Sequence, residues 1–275
     1  MPINYLCLPL AVTMSAFLLV ACQAASEKPK EPLGTVGSTA TVVDKAPAYE
    51  VEFTEDFQQG TLSQKSWVLT EQNDFRWSII DVIDAGQNDL RLRLLADTVG
   101  TMDDTVKFHG VRTMRKIDFT EGKTISFDLD WNDQANGSYL TAGLYLCPVA
   151  TDINPRDKLD WIAVEYVGVP PGKNARLQVA SAKKGNLRFL FTEGWPNKQR
   201  TGRRIANQHV QLVIDDDSLK VLEKGEELFS TGNHGLNFSQ AYLYLQMSSH
   251  SNYPSREVYF DNIVVQRASF GIQQP

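Results

Sequence analysis

The stretch Ala241-Tyr242-Leu243-Tyr244-Leu245-Gln246-Met247-Ser248 alternates without a break, and its reading decides the fold class. Successive side chains of a strand face opposite sides of a sheet. Tyr242, Tyr244 and Gln246 therefore share one face, and Leu243, Leu245 and Met247 share the other. The aliphatic face predicts core. The opposite face carries two phenols and an amide, which suits a platform for a ligand, although tyrosine also enters strands for its β-propensity alone.

Segments of similar length recur on both sides of this strand, at 51–57, 75–82, 89–95, 106–115, 124–131, 139–147, 160–167, 175–182, 187–191, 209–214, 219–222 and 257–266. Turn residues separate them: Pro170-Pro171-Gly172 breaks any strand, and Lys184-Gly185-Asn186, Asp216-Asp217 and Lys224-Gly225 suit tight hairpins, because Gly and Asn tolerate positive φ. No three-turn amphipathic helix intervenes. Many short strands without helices predict an all-β sandwich of antiparallel sheets rather than a βαβ fold.

With 275 residues, 42% of them hydrophobic, the chain can bury a full core in one large all-β domain or two small ones. Its net charge of −6, with lysines and arginines scattered rather than striped, argues against nucleic acid as a partner. The same charge gives no reason to lie on an anionic membrane, so a membrane link needs an anchor. Residues 1–21 supply one: a short polar start, then an apolar run shorter than the about 20 residues that span a bilayer, as in a secretory signal. Leu19-Val20-Ala21-Cys22 resembles the lipobox of bacterial lipoproteins, in which the signal is cut before the Cys and the thiol is lipidated. That resemblance implies an anchor at Cys22, although no Lys or Arg precedes the apolar run; an ordinary secretory signal with a coincidental Cys is the alternative. Gln23 in place of an acidic residue then points to the outer membrane. Residues 22–50, rich in Ala, Lys, Pro, Ser and Thr, read as a flexible tether, 51–267 as the folded domain and 268–275 as a tail. Cys147 is left without a disulfide partner and reads as a small buried hydrophobe.

A Glu55-Asp56-Phe57 opening with Trp67 ten residues on, a hairpin around Trp77 and Leu90-Arg91-Leu92, a central Ile214-Asp215-Asp216-Asp217-Ser218-Leu219-Lys220-Val221 hairpin and a closing Val258-Tyr259-Phe260-Asp261-Asn262-Ile263 are similar to the concanavalin A-like lectin and glucanase superfamily. The resemblance spans about Val51 to Arg267. It implies a jelly roll of two antiparallel sheets, one concave, with sugar held on the concave face. It implies no activity, since the fold hosts binders and enzymes alike.

Retaining hydrolases of similar fold carry a Glu-x-Asp-x-Glu strand, which sets nucleophile and acid about 5–5.5 Å apart. Ser126-Phe127-Asp128-Leu129-Asp130 matches the alternation with two Asp and no Glu, and Trp161-Ile162-Ala163-Val164-Glu165 matches it with Glu165 alone. Asp128 and Asp130 on one face repel, an arrangement that raises one pKa and suits acid/base work, while a solvated polar face explains them equally well. Glu193 is a further carboxyl, in a loop expected to lean over a groove. Catalytic candidates are thus Asp128, Asp130, Glu165 and Glu193.

Tyr242, Tyr244, Gln246, Tyr145, Asp128, Asp130 and Glu165 are expected to share the concave face and to bind sugar through rings and hydrogen-bond acceptors. Trp195 and Arg200, with Arg203 and Arg204, form a basic loop that would stack on a sugar ring and pair with an acidic sugar, unless Trp195 packs on the sandwich edge. Asp261 with Asp56 would supply oxygens to a structural calcium, unless they only form turns. The four histidines lack Ser or Cys at motif spacing, so a hydrolytic triad has no support. The resulting expectation is an envelope lipoprotein, acting as a monomer, whose jelly roll binds an oligo- or polysaccharide. A glycoside hydrolase or polysaccharide lyase of the same fold, and an envelope protein-contact module, are the alternatives.

Overall fold

The computed structural model describes residues 49–71, 75–101, 106–131, 140–169, 174–194, 203–215, 217–250, 253 and 255–268, all within one compact unit, Lys45–Pro275. Residues 1–48, with the expected signal segment, Cys22 and most of the expected tether, and residues 269–275 lie outside the described ones, while Tyr49 and Glu50 of the expected tether begin the first strand and Ala268 of the expected tail ends the last. In chain order the strands are β1 (Tyr49–Glu55), β2 (Trp67–Glu71), β3 (Trp77–Asp84), β4 (Leu90–Asp97), β5 (Val106–Thr113) and β6 (Ile117–Asp118). Then come β7 (Lys123–Trp131), β8 (Leu140–Cys147), β9 (Trp161–Val169), β10 (Asn174–Lys183), β11 (Asn186–Thr192) and β12 (Arg203–Arg204). The chain closes with β13 (Gln208–Asp215), β14 (Ser218–Glu223), β15 (Glu226–Thr231), β16 (Gln240–His250) and β17 (Arg256–Ala268).

These strands form the two-layered antiparallel sandwich that the alternation predicts. An eight-stranded sheet runs β15-β14-β13-β7-β17-β4-β3, with β1 also on β17. A nine-stranded sheet runs β11-β10-β9-β8-β16-β5-β2, with β12 on β10 and β6 on β16. The core fills the space between them. Ile125, Phe127 and Leu129 of β7 reach it from the first sheet, and Leu243, Leu245 and Met247 of β16 from the second, all essentially inaccessible.

Trp67, isolated in the sequence, opens β2 and donates Nε1–H to Glu55 Oε2 at 3.0 Å, with its ring edge-on to Phe53. That ties the first strand of one sheet to the first strand of the other. The two-residue turns Lys184-Gly185 (φ 51° and 77°) and Lys224-Gly225 (φ 49° and 85°) close the β10–β11 and β14–β15 hairpins. Lysine rather than Asn186 takes the left-handed place in the first, and Asn186 begins β11. His109 donates from Nε2 to the Ile79 carbonyl at 2.9 Å, joining the two sheets. Burial pulls its pKa down to about 4, so it makes that bond as the neutral ring.

Candidate functional site

The outward face of the nine-stranded sheet holds Tyr145 of β8, Glu165 of β9, and Tyr244 and Gln246 of β16, as the strand parities predict. None of the four is accessible: their exposures are 1%, 0%, 0% and 0%. Residues 149–156, after β8, lie over them. Tyr244 accepts the Thr151 amide at 2.9 Å and donates to the Val149 carbonyl at 3.2 Å. The Gln246 amide donates to Thr70 Oγ1 at 2.8 Å and to the Ile153 carbonyl at 2.9 Å. Tyr242 alone stays half-buried, its ring flanked by Arg112 and Lys116 at 5.3 and 5.6 Å. The expected platform is therefore roofed by the chain's own loop.

Glu165 is the centre of this roofed layer. The 3₁₀ helix Pro155–Asp157, capped by Asn154 Oδ1 on the Arg156 amide at 2.9 Å, carries Arg156 down onto the sheet. There Arg156 Nη2 pairs with Glu165 Oε1, the Gln178 amide donates to the same oxygen at 2.9 Å, and Tyr145 O–H donates to Oε2 at 2.6 Å. Burial, and then the Glu165 charge, pushes the Tyr145 phenol well up, so it stays a donor. The guanidinium also stacks over Tyr145 and Trp161, whose Nε1–H donates to the Arg156 carbonyl. The other same-face places of β9 are Trp161, Ala163, Val167 and Val169, so no second carboxyl stands on that face of the strand. Glu165, with no exposed surface and its oxygens held by Arg156, Gln178 and Tyr145, is not presented to a ligand.

Asp128 and Asp130 stand elsewhere. They lie on the outward face of β7, which sits between β13 and β17 in the eight-stranded sheet, so they look away from Glu165 and Tyr244. Parity along each strand was legible, but sheet membership was not. A bulge in β17 after Asp261, with Asn262 at φ 50°, turns Asp261 and Asn262 towards them. A cavity of about 270 Å³ results, lined by Asp89, Arg91, Asp128, Asp130, His209 and Asp261 among others. Asp128 accepts from His209 Nδ1 at 2.6 Å and Asn262 Nδ2 at 2.8 Å, and Asp130 faces Arg91 Nη1 at 3.3 Å. These partners, rather than mutual repulsion, set the surroundings of the pair.

The carboxyl that is perturbed here is Asp261. Burial pushes it up to about 6 against the Asn262 amide, and the charges of Asp89 and Asp128 add to the rise. An acid whose pKa rises on folding binds its proton more tightly in the folded state. The Asp261 contribution to stability therefore falls as pH climbs from about 4 to about 6 and is level above that, opposite in sign to the contribution of buried His109 over the same range. Asp261→Asn should remove this contribution, leaving stability to rise more steeply between about pH 4 and 6 than in the wild type, and raise stability at pH 7 by about 1–2 kcal/mol. Urea midpoints measured from acid to neutral pH check it; an unchanged slope would disprove it.

Of the two residues expected at a calcium site, Asp261 lines the cavity above and Asp56 lies in a turn. Asp56 Oδ1 accepts the Gln58 amide in a turn, and among the described residues no group of three or more His, Cys, Asp or Glu could hold a metal ion. Glu193 folds back onto β10, where Oε2 accepts the Leu177 amide at 2.9 Å, instead of leaning over a groove. Trp195 and Arg200 lie outside the described residues, as does the Arg203 side chain.

What the outward face leaves open is its β10–β11 margin, which the sequence reading did not single out. Leu159, Leu187 and Phe189 are 66%, 55% and 61% exposed, unusually bare for large apolar side chains. Phe189 lies between two shallow cavities of about 470 and 340 Å³, one shared with Arg176 and Gln178 and the other with Arg156, Lys158 and Trp161. An exposed ring beside a guanidinium is the kind of surface on which a hydroxylated, ring-shaped ligand can stack. The sequence signal was Leu187 and Phe189 alternating opposite Ala180 and Ala182, an apolar outward face at a sheet margin.

No protein-family model and no curated protein matches the chain. Solved structures do match it. A Bacteroides ovatus glycoside hydrolase of a mixed-linkage glucan locus, in complex with a product, is similar with a TM-score of 0.55 and 11% identity over 78% of this chain and 99% of that one. The laminarinase catalytic domain of Thermotoga maritima aligns with a TM-score of 0.54 and 13% identity over 81% and 99% of the two chains. The T. cruzi calreticulin globular domain aligns with a TM-score of 0.50 and 14% identity over 80% and 89%. The fold is a concanavalin A-like jelly roll. Within this concanavalin A-like sandwich the roofed Glu165 layer and the bare Phe189 margin share the outward face of one sheet, and the Asp261 cavity belongs to the other.

Proposed function

We propose that this concanavalin A-like domain binds carbohydrate without hydrolysing it, along the β10–β11 margin around Phe189, as part of a lipid-anchored protein of the bacterial envelope. The observation that carries the non-hydrolytic reading is Glu165, buried against Arg156 with no carboxyl at the other same-face places of β9. The glycan reading is supported by the bare ring beside Arg176 and Gln178, and by solved neighbours named as glucan-acting proteins. Phe189 would stack on the apolar face of a sugar while the Arg176 guanidinium bonds its hydroxyls. The anchor rests on Leu19-Val20-Ala21-Cys22 and the polar tether that follows.

A glycan array probed with the wild type and Phe189→Ala tests the reading. The variant should lose at least about tenfold in affinity, equivalent to about 1.4 kcal/mol, while its fold is unchanged. Neither protein should release reducing ends from the glycans bound. Turnover that disappears in Glu165→Gln would replace the binding reading with the hydrolase, and array binding indifferent to Phe189→Ala would remove the platform. In the same host, Cys22→Ser should move the protein from the membrane to the soluble fraction; retention at the membrane would remove the anchor.

A further inference from the structure

Arg176, on the outward face of β10 in register with Val167 of β9, is half-buried and lines the cavity of about 470 Å³ that it shares with Phe189. It is the one charged residue among the described ones that line that cavity. Its Nε is buried without an acceptor, and among the described residues no carboxylate pairs with it. Glu193, the carboxyl that folds back onto β10, is turned to the Leu177 amide. The Gln178 amide in the same cavity is held by Glu165. A guanidinium, with its five N–H donors, thus shares a cavity with a bare ring and has no counter-charge there.

The cavity on the other side of Phe189 is balanced differently. There Arg156 is committed to Glu165, and Lys158 shares the lining with Asp157. An acidic group on a ligand is therefore drawn to the Arg176 side. The net charge of −6 gives polyanions no general attraction to this chain, so an anion held on this face depends on that local cation. Arg176 and Ala182, which lines the other cavity, stand on one strand about 20 Å apart at the rise of a strand. That length suits several linked sugar rings rather than one.

We propose that the carbohydrate held at this margin is acidic, with the carboxylate of a uronic acid or the sulfate ester of a sugar on the Arg176 guanidinium while Phe189 stacks on a ring of the same chain. The acidic class rests on the reading of Phe189 as the sugar platform and names the kind of sugar that platform takes. Carboxylate and sulfate both accept the two parallel N–H bonds of a guanidinium fork.

The test measures affinities of the full-length chain for oligosaccharides of equal length in matched pairs: an oligogalacturonate with its carboxyl-reduced form, and a sulfated galactan oligosaccharide with its desulfated form. The wild type should bind the acid at least tenfold tighter than its neutral counterpart in one pair or both. Preference in the first pair assigns a carboxylate, and in the second a sulfate ester. Arg176→Gln should bring the acid down to the affinity of its neutral counterpart, and Arg176→Lys, which keeps the charge and loses the fork, should keep only part of the preference. Phe189→Ala should weaken both members of a pair alike. Added sodium chloride should weaken binding of the acid by the wild type and leave the neutral form unmoved, a measurement that needs no variant to fold. Equal affinity within both pairs, or binding of neither acid, overturns the acidic class, as does a preference that survives in Arg176→Gln or an affinity for the acid indifferent to salt. Neutral forms bound through Phe189 with no preference for the acids would keep the platform and refute the acid. Binding of every form indifferent to Phe189→Ala would remove the platform, and the acidic class with it.

Discussion

Replacing Arg156 with alanine should lower the stability of the domain by about 3 kcal/mol. Glu165 has no exposed surface, and among the described residues the Arg156 guanidinium is the one cation on its oxygens, beside the Gln178 amide and the Tyr145 hydroxyl. Two neutral donors do not compensate a desolvated charge, and removing one partner of a buried pair leaves the other uncompensated. The loss also strips the 3₁₀ helix of its stacking on Trp161 and Tyr145. Urea unfolding should show a lower midpoint with an unchanged slope. The double variant Arg156→Ala with Glu165→Gln should recover most of the loss, because no charge is then left in the dry layer. A single variant within about 0.5 kcal/mol of wild type, the scatter of an ordinary surface change, would mean that the pair is not buried as described.

Gly143→Ala should be comparably severe. A Cβ at this position would stand 2.2 Å from the Val164 carbonyl oxygen and 2.5 Å from Glu165 Cα, both main-chain atoms of the adjacent strand. A flexible side chain could swing aside, but a strand in the middle of a sheet cannot. Overfilling a packed interior costs about 1–3 kcal/mol when side chains adjust, so about 3 kcal/mol or more is expected when main chain must move. For a domain of this size that is a fall of about 6–12 °C in melting temperature. The displacement would push β9 off β8 beneath the Arg156–Glu165 pair, coupling this change to the previous one. A variant melting within a degree or two of wild type would contradict the β8–β9 register.

Most strands could be read from the chain because the information is local. The period-two alternation of Ala241–Ser248 and Thr124–Trp131 gave the core face of each strand, and Gly185 and Gly225 gave the hairpins. The strands without a trace in the sequence lacked that signal: Trp67–Glu71 looked like a lone tryptophan, Glu226–Thr231 lies on a sheet edge, and Ile117–Asp118 and Arg203–Arg204 are two residues each, too short to alternate. The candidate site was legible only in part. Glu165 was recognised as a carboxyl alone on its strand face, and Tyr145, Tyr244 and Gln246 were rightly placed on the same face. Their accessibility was misjudged, because a roof made by residues 149–156 leaves no periodic trace in the sequence.

The sequence by itself determined a two-sheet sandwich, the inward and outward side of its main strands, and the absence of a paired acid beside Glu165. Only the tertiary structure decided that Asp128 and Asp130 stand on the opposite sheet from Glu165, that a loop covers the tyrosine face, and that Phe189 and Arg176 are left bare or unpaired. The physical reason is range. Side-chain parity follows from neighbouring backbone dihedrals, whereas sheet membership and burial follow from pairings between distant segments, such as Tyr244 with Arg112 and Asp261 with Asp128.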